Sequence, residues 1–203
     1  MRACCPSTRT SPPLAQRSPG LLVAVVIVLL LALAASLPSA GAAPAEPGRQ
    51  DASARAAYLY NFLSYIEWPS RALPLTDSPL VIGVLNADAV AAELLLTTLG
   101  RNINNRPVTI RRLQPGDSLD DIHLLYIGPA EADTAQSIIQ RVPQRWTVVV
   151  TDDAAAEPAG GAINFRESDG RLRFEISHAA VERGDFRLSS RLMALAIAQP
   201  GPN

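Results

Sequence analysis

Residues 21–37 (LLVAVVIVLLLALAASL) form an uncharged apolar run, and nowhere else does the chain stay apolar for so long. Further along, apolar positions take up other rhythms. In residues 56–69 (AAYLYNFLSYIEWP), read with Ala54, helical spacing puts Ala54, Tyr58, Asn61, Phe62 and Tyr65 on one face, with Leu59, Leu63 and Ile66 widening the stripe. This predicts a mostly enclosed helix that stops before Pro69, because a residue preceding proline is driven out of the helical region. Half of the chain's ten aromatic residues fall in this segment, and core packing is the plain explanation for them.

Leu80–Leu85 (LVIGVL) is a continuous apolar run between turn residues, as expected of a strand covered on both faces. Residues 88–99 read as an amphipathic helix opened by Asp88, and residues 107–113 (PVTIRRL) as a strand with proline at its first position. Residues 122–127 (IHLLYI) predict a central strand, residues 130–142 a helix and residues 146–150 (WTVVV) another strand. That alternation predicts an α/β fold, a mostly parallel Rossmann-like sheet flanked by helices. The pattern then changes. Gly160-Gly161, residues 162–166 (AINFR), the turn Ser168-Asp169-Gly170 and residues 172–176 (LRFEI) predict a C-terminal β-hairpin. A helical stretch over 178–183, a break at Gly184 and a closing helix near 190–198 follow.

Around the long apolar run stand Arg2, Arg9 and Arg17 on one side and Ser39-Ala40-Gly41-Ala42-Ala43 on the other. This is the layout of a secretory signal peptide cleaved after Ala42, with an uncleaved anchor through residues 21–37 as the alternative. The expected organisation is therefore a leader over 1–42, a Pro/Gly-rich linker over 43–53, a domain over 54–198 and a tail over 199–203. The expected location is the periplasm, or the outer face of the inner membrane if the anchor is kept.

Composition narrows the chemistry. Cys4 and Cys5 are the only cysteines and leave with the leader, so the exported chain has no disulfide, thiolate metal site or cysteine nucleophile. All eighteen basic residues are arginine; fifteen remain after cleavage against nineteen acidic residues, a net charge of about −4 that does not suggest a nucleic-acid ligand. The missing lysine excludes Schiff-base chemistry and a P-loop contact.

No nucleophile–base pair, metal-ligand spacing or cofactor loop is legible, so no catalytic residue, metal or cofactor is assigned. His123 in an apolar strand reads as structural. Asp152 and Asp153, at the carboxyl end of a predicted strand, are candidates for a ligand pocket, with helix capping as the simpler role for Asp153. Glu67 and Trp68, Arg106, and Arg171, Arg173 and Glu175 of the hairpin are candidates for partner recognition. Residues two apart share a strand face, so Arg171, Arg173 and Glu175 are expected outward and Leu172, Phe174 and Ile176 inward. The arginine row suits a partner's carboxylates or simply solvates an outer face, and the hairpin edge also offers a surface to a second copy.

Taken in order, AAYLYNFLSYIEWP, IGVLNAD, the Asn105-Arg106-Pro107-Val108 step, IHLLYIG, VVVTDD, GGAINFRESDGRLRFEIS and LSSRLMALA resemble the YfiR-like family of periplasmic proteins, over residues 54–198. The resemblance implies an exported, non-catalytic α/β domain. Its best understood members bind the periplasmic sensor region of an inner-membrane diguanylate cyclase and repress it, which implies a negative regulator in cyclic di-GMP signalling and biofilm control. Other members accompany sensor kinases or outer-membrane receptors, so a ligand-binding accessory protein of a sensor kinase or transport system is the alternative. One departure matters: relatives often carry a redox-active cysteine at the start of the third strand, where this chain has Ile122. Ser177 also stands where the family usually has asparagine.

Overall fold

The computed structural model describes residues 47–130, 132–152 and 161–197. The expected leader with Cys4 and Cys5, the Gly160 end of the glycine pair, Asp153 and the tail over 199–203 lie outside the described residues. No described helix is long and apolar enough to cross a membrane.

Helix α1 spans Pro47–Phe62, so residues 47–53, expected as linker, are its first turns. Proline is tolerated at a helix start, where its missing N–H would have no partner anyway. Burial makes these turns worthwhile: Ala52 is buried, and Arg49 pairs with Glu93 of the next helix at 3.1 Å. The inner face runs through Ala52, Ala56, Leu59, Phe62 and Leu63, while Asn61, placed on it by spacing, is exposed. The helix also stops well short of Pro69. A 3-10 turn, Leu63–Tyr65, leads into strand β1, Ile66–Glu67, which pairs antiparallel with β9, Arg187–Leu188, and Ser189 N–H donates to the Tyr65 carbonyl at 2.9 Å. Tertiary pairing, not the proline, ends the helix.

The remaining elements are β2 (Leu80–Leu85), α2 (Asp88–Thr98), β3 (Asn102–Ile103), β4 (Arg106–Leu113), β5 (Leu124–Ile127), α3 (Ala132–Gln140), β6 (Val148–Asp152), β7 (Ile163–Ser168), β8 (Arg171–Ile176), α4 (His178–Arg183) and α5 (Ser190–Leu195). Seven strands form one sheet in the order β3-β4-β2-β5-β6-β7-β8. The neighbours from β4 to β7 are parallel, and β3 and β8 are antiparallel at the edges, so the sheet is mixed. Two-residue turns account for both reversals. Asn104-Asn105 and Asp169-Gly170 all have positive φ, as a type I′ hairpin turn requires, and so short a link cannot carry a parallel crossover. Pro107 is the second residue of β4, set against Asn102 of the short edge strand.

Two cores lie on opposite faces of the sheet. On β5, Leu124 and Tyr126 join the larger core with α1 and α2, while Leu125 and Ile127 join the smaller one, the period-2 consequence of a strand buried on both sides. An aromatic cluster fills the larger core: Phe62 lies 5.1 Å from Phe174 and 5.9 Å from Phe165 between ring centroids, with Tyr58 against all three. The aromatic helix is thus mainly a packing element. Ser177 caps α4 through its hydroxyl, which accepts from Ala180 N–H, so the serine supplies its own polar contact in place of asparagine. Ser189 caps α5 in the same way.

Candidate functional site

Strand β2 is the point at which the winding of the sheet reverses. It leads through α2 to β4 on one side, whereas β5 on its other side leads through α3 to β6. Loops leaving the carboxyl ends of such neighbours diverge and open a crevice. Here the crevice is a cavity of about 300 Å³ bordered by Asn86 and Ala87 after β2, Pro129 after β5, Asp152 at the end of β6 and the first half of α1. A Cβ on Gly128 would stand 2.5 Å from the Asn86 carbonyl oxygen, so the two loops come this close only because residue 128 is glycine.

Asp152 borders this crevice but is committed inward. It is 4% exposed, and its carboxylate accepts from Arg55 Nε at 2.6 Å, from Arg55 Nη2 at 3.2 Å and from the Tyr126 hydroxyl at 2.8 Å. Burial raises the Tyr126 pKa well above its ordinary value, and the Asp152 carboxylate raises it further, so the phenol remains a neutral donor. Burial opposes the charge on Arg55, but the hydrogen bond and charge of Asp152 outweigh it and the pKa rises. The three groups clamp α1 to the carboxyl ends of β5 and β6. Arg55 was not legible as a site residue, because its partner is 97 positions away; its one signal is a charge beside the buried stripe of α1.

The recognition candidates fall elsewhere. Glu67 is exposed on β1 opposite Arg187, and Trp68 is half-buried. Both border a cavity of about 430 Å³ with Pro69, Asp185 and Phe186, which Arg106, Arg171, Arg173 and Asp152 do not line. The indole packs edge-on against His123 at 5.8 Å, and its nitrogen is buried with no hydrogen-bond partner among the described residues. Arg106 turns back on its own chain, donating to the carbonyls of Leu75 at 2.6 Å and Ser78 at 3.1 Å, and so pins the loop before β2. On β8, Arg171 and Arg173 are exposed and Phe174 and Ile176 buried, as alternation requires, with Leu172 half-buried. Glu175 departs from the expected outward row. It is 3% exposed, pairs with Arg166 at 3.2 Å and is bridged by Ile197, which covers that part of the strand edge.

His123, expected as structural, is buried just before β5. Its Nδ1 accepts from Val81 N–H at 3.1 Å, which leaves Nε2 to donate to the Ala72 carbonyl at 3.0 Å. Burial lowers its pKa, and the hydrogen bond to Ala72 offsets this only in part. The unfolded chain then takes up a proton that folded His123 resists. The associated stability is complete above the unfolded value of about 6.5 and is lost as pH falls through the folded one. Urea unfolding between about pH 7.5 and about pH 5.5 should show this decline, and His123→Gln should reduce the slope while lowering stability at the higher pH. An unchanged slope in His123→Gln would place the titrating group elsewhere.

Among the described residues, no group of three or more His, Cys, Asp or Glu side chains is placed to hold a metal ion. A family model described as YfiR/HmsC-like matches residues 52–197 of the chain. No curated protein matches it.

Proposed function

The chain belongs to the YfiR/HmsC-like family, and on that premise we propose that it is a non-enzymatic periplasmic regulator that binds and represses an inner-membrane signalling protein, a diguanylate cyclase. The family match across residues 52–197 carries this reading. In it, the leader over 1–42 is removed on export, or residues 21–37 are retained as an anchor. Repression requires only that the protein bind the inactive state of the cyclase more tightly than the active one; a coupling of about 1–3 kcal/mol is typical. The exposed side chains of Arg171 and Arg173, two apart on one face of β8, form the contact proposed for carboxylates of the cyclase's periplasmic region. Glu67 and Trp68 form a second proposed contact, at the rim of their cavity. The crevice at the end of β2 and β5 favours a second reading, a ligand-binding accessory protein of a sensor kinase or transport system.

Deletion of the gene should raise cellular cyclic di-GMP and attachment, and the effect should vanish when the cyclase gene is also removed. Arg171→Glu with Arg173→Glu should reproduce the deletion while shifting stability by only about 0.5 kcal/mol, as is usual for exposed positions. Unchanged cyclic di-GMP in the deletion strain, with the cyclase expressed, would reject repression and leave the accessory reading.

A further inference from the structure

The clamp uses only part of what Arg55 can donate. A guanidinium is a planar fork of five N–H donors, and each of its edges can grip a carboxylate with two parallel hydrogen bonds. Asp152 takes the edge formed by Nε and Nη2, and Nη1 reaches back to the Asp51 carbonyl at 3.4 Å. One N–H on Nη1 and one on Nη2 are left side by side at the tip of the fork, with no acceptor among the described residues. The side chain is 22% exposed and borders the crevice of about 300 Å³ at the ends of β2 and β5. One turn earlier on α1, Asp51 borders the same crevice. It is exposed and its charge acts on Arg55, but its carboxylate accepts no hydrogen bond among the described residues. The rest of the wall is small and mostly apolar, from Gly48 and Ala52 on α1 to Ala87, Ala89 and Val90 across from them.

We propose that this crevice binds a small α-amino acid, with its carboxylate on the tip of the Arg55 fork, its ammonium on Asp51 and its side chain against the alanines. An amino acid carries both charges on one carbon, so its site needs a donor set and an acceptor set side by side. Residues four apart on a helix stand about 5–6 Å from each other at Cβ, which gives Asp51 and Arg55 that relation. Charge selects the zwitterion. A simple carboxylate entering here meets two acids, Asp51 and Asp152, against a single arginine, and a simple amine leaves the Arg55 tip unfilled. The zwitterion answers both groups and adds no net charge to a partly buried place. Size sets the other limit. Pockets for drug-sized ligands hold about 300–1,000 Å³, so this crevice stands at the small end and suits a short aliphatic side chain. Gly48, Asp51 and Ala52 belong to the first turns of α1, so an occupied crevice fastens those turns to the loops after β2 and β5. The inference names a ligand for the crevice on which the accessory reading rests, and it holds equally for a protein that represses a cyclase.

Calorimetric titration of the exported protein with L-alanine or L-valine should show binding at one site, and both should raise the melting temperature. Propionate and ethylamine, each with one of the two charges of L-alanine, should do neither. Asp51→Asn should weaken L-alanine at least about tenfold and let propionate bind. The melting temperature of the unliganded variant should stay that of the parent, because the Asp51 side chain is exposed. Ala89→Phe, at an exposed position of the wall, should fill the crevice and abolish binding with the fold retained. No heat and no thermal shift with any of the common amino acids overturns the proposal. Amino-acid binding that Asp51→Asn and Ala89→Phe leave intact overturns it as well, by placing the site elsewhere. Propionate or ethylamine binding that Ala89→Phe abolishes, with none for L-alanine, overturns the amino-acid assignment while the accessory reading of the crevice stands.

Discussion

Arg55→Met should lower the stability of the protein by about 3–5 kcal/mol, the usual cost of removing one partner from a buried ion pair. The reason is the carboxylate left behind. The Asp152 side chain is 3% exposed and cannot turn to water, and the Tyr126 hydroxyl is then its remaining donor. Asp152→Asn should cost less, about 1–3 kcal/mol, because the Arg55 side chain is 22% exposed and can reach solvent. Arg55→Met with Asp152→Leu should recover part of the loss, since a well-packed apolar pair removes the stranded charge. Urea unfolding of the four proteins measures all of this. An Arg55→Met variant as stable as the parent would mean that the clamp across β5 and β6 is not formed in solution.

Phe174→Ala should cost a similar amount, about 3–5 kcal/mol, by leaving a cavity in the aromatic cluster. Its ring is 3% exposed and stands within 5.9 Å of both Tyr58 and Phe62 by ring centroid. Domain stabilities of about 5–15 kcal/mol leave little margin for such a loss. Under the proposed function, the variant should therefore accumulate poorly in the periplasm and fail to repress for want of folded protein. Here lies its use beside the arginine variant, whose substitutions fall on the same strand but on the exposed face. Thermal melts and periplasmic protein levels separate the two causes: loss of repression at normal level and normal melting temperature belongs to the binding surface. A normal melting temperature for Phe174→Ala would contradict the inward orientation of β8.

Much of the fold was legible because it rests on local rules. Leu80–Leu85 is a strand over the bounds its apolar run predicts, and His178–Arg183 is the expected short helix before Gly184. Asp169-Gly170 marked the hairpin because a two-residue turn with positive φ tolerates few other pairs. The short edge strand β3 was missed although Asn104-Asn105 carried the same kind of signal. Where the reading failed, a distant partner decided. Pro/Gly-rich composition argued for a linker over residues 43–53, but packing on α2 makes 47–53 helical. Spacing carried the aromatic helix toward Pro69, but pairing with Arg187 and Leu188 ends it early.

The sequence by itself determined the order of the main helices and strands, the inward placing of Phe174 and Ile176 on β8, the aromatic core helix and the family. Each depends on side-chain period, turn residues or motif order, which neighbouring positions express. Only the tertiary structure decided which charges face one another. Asp152 is held by Arg55 and Tyr126, Glu175 by Arg166, and Arg106 by carbonyls of a loop about thirty residues away. It also decided that Leu95 and Leu96 on the outer face of α2 stay exposed among the described residues. Burial and ion pairing are properties of contacts between distant segments, and a linear pattern specifies which residues tend inward without specifying what they meet.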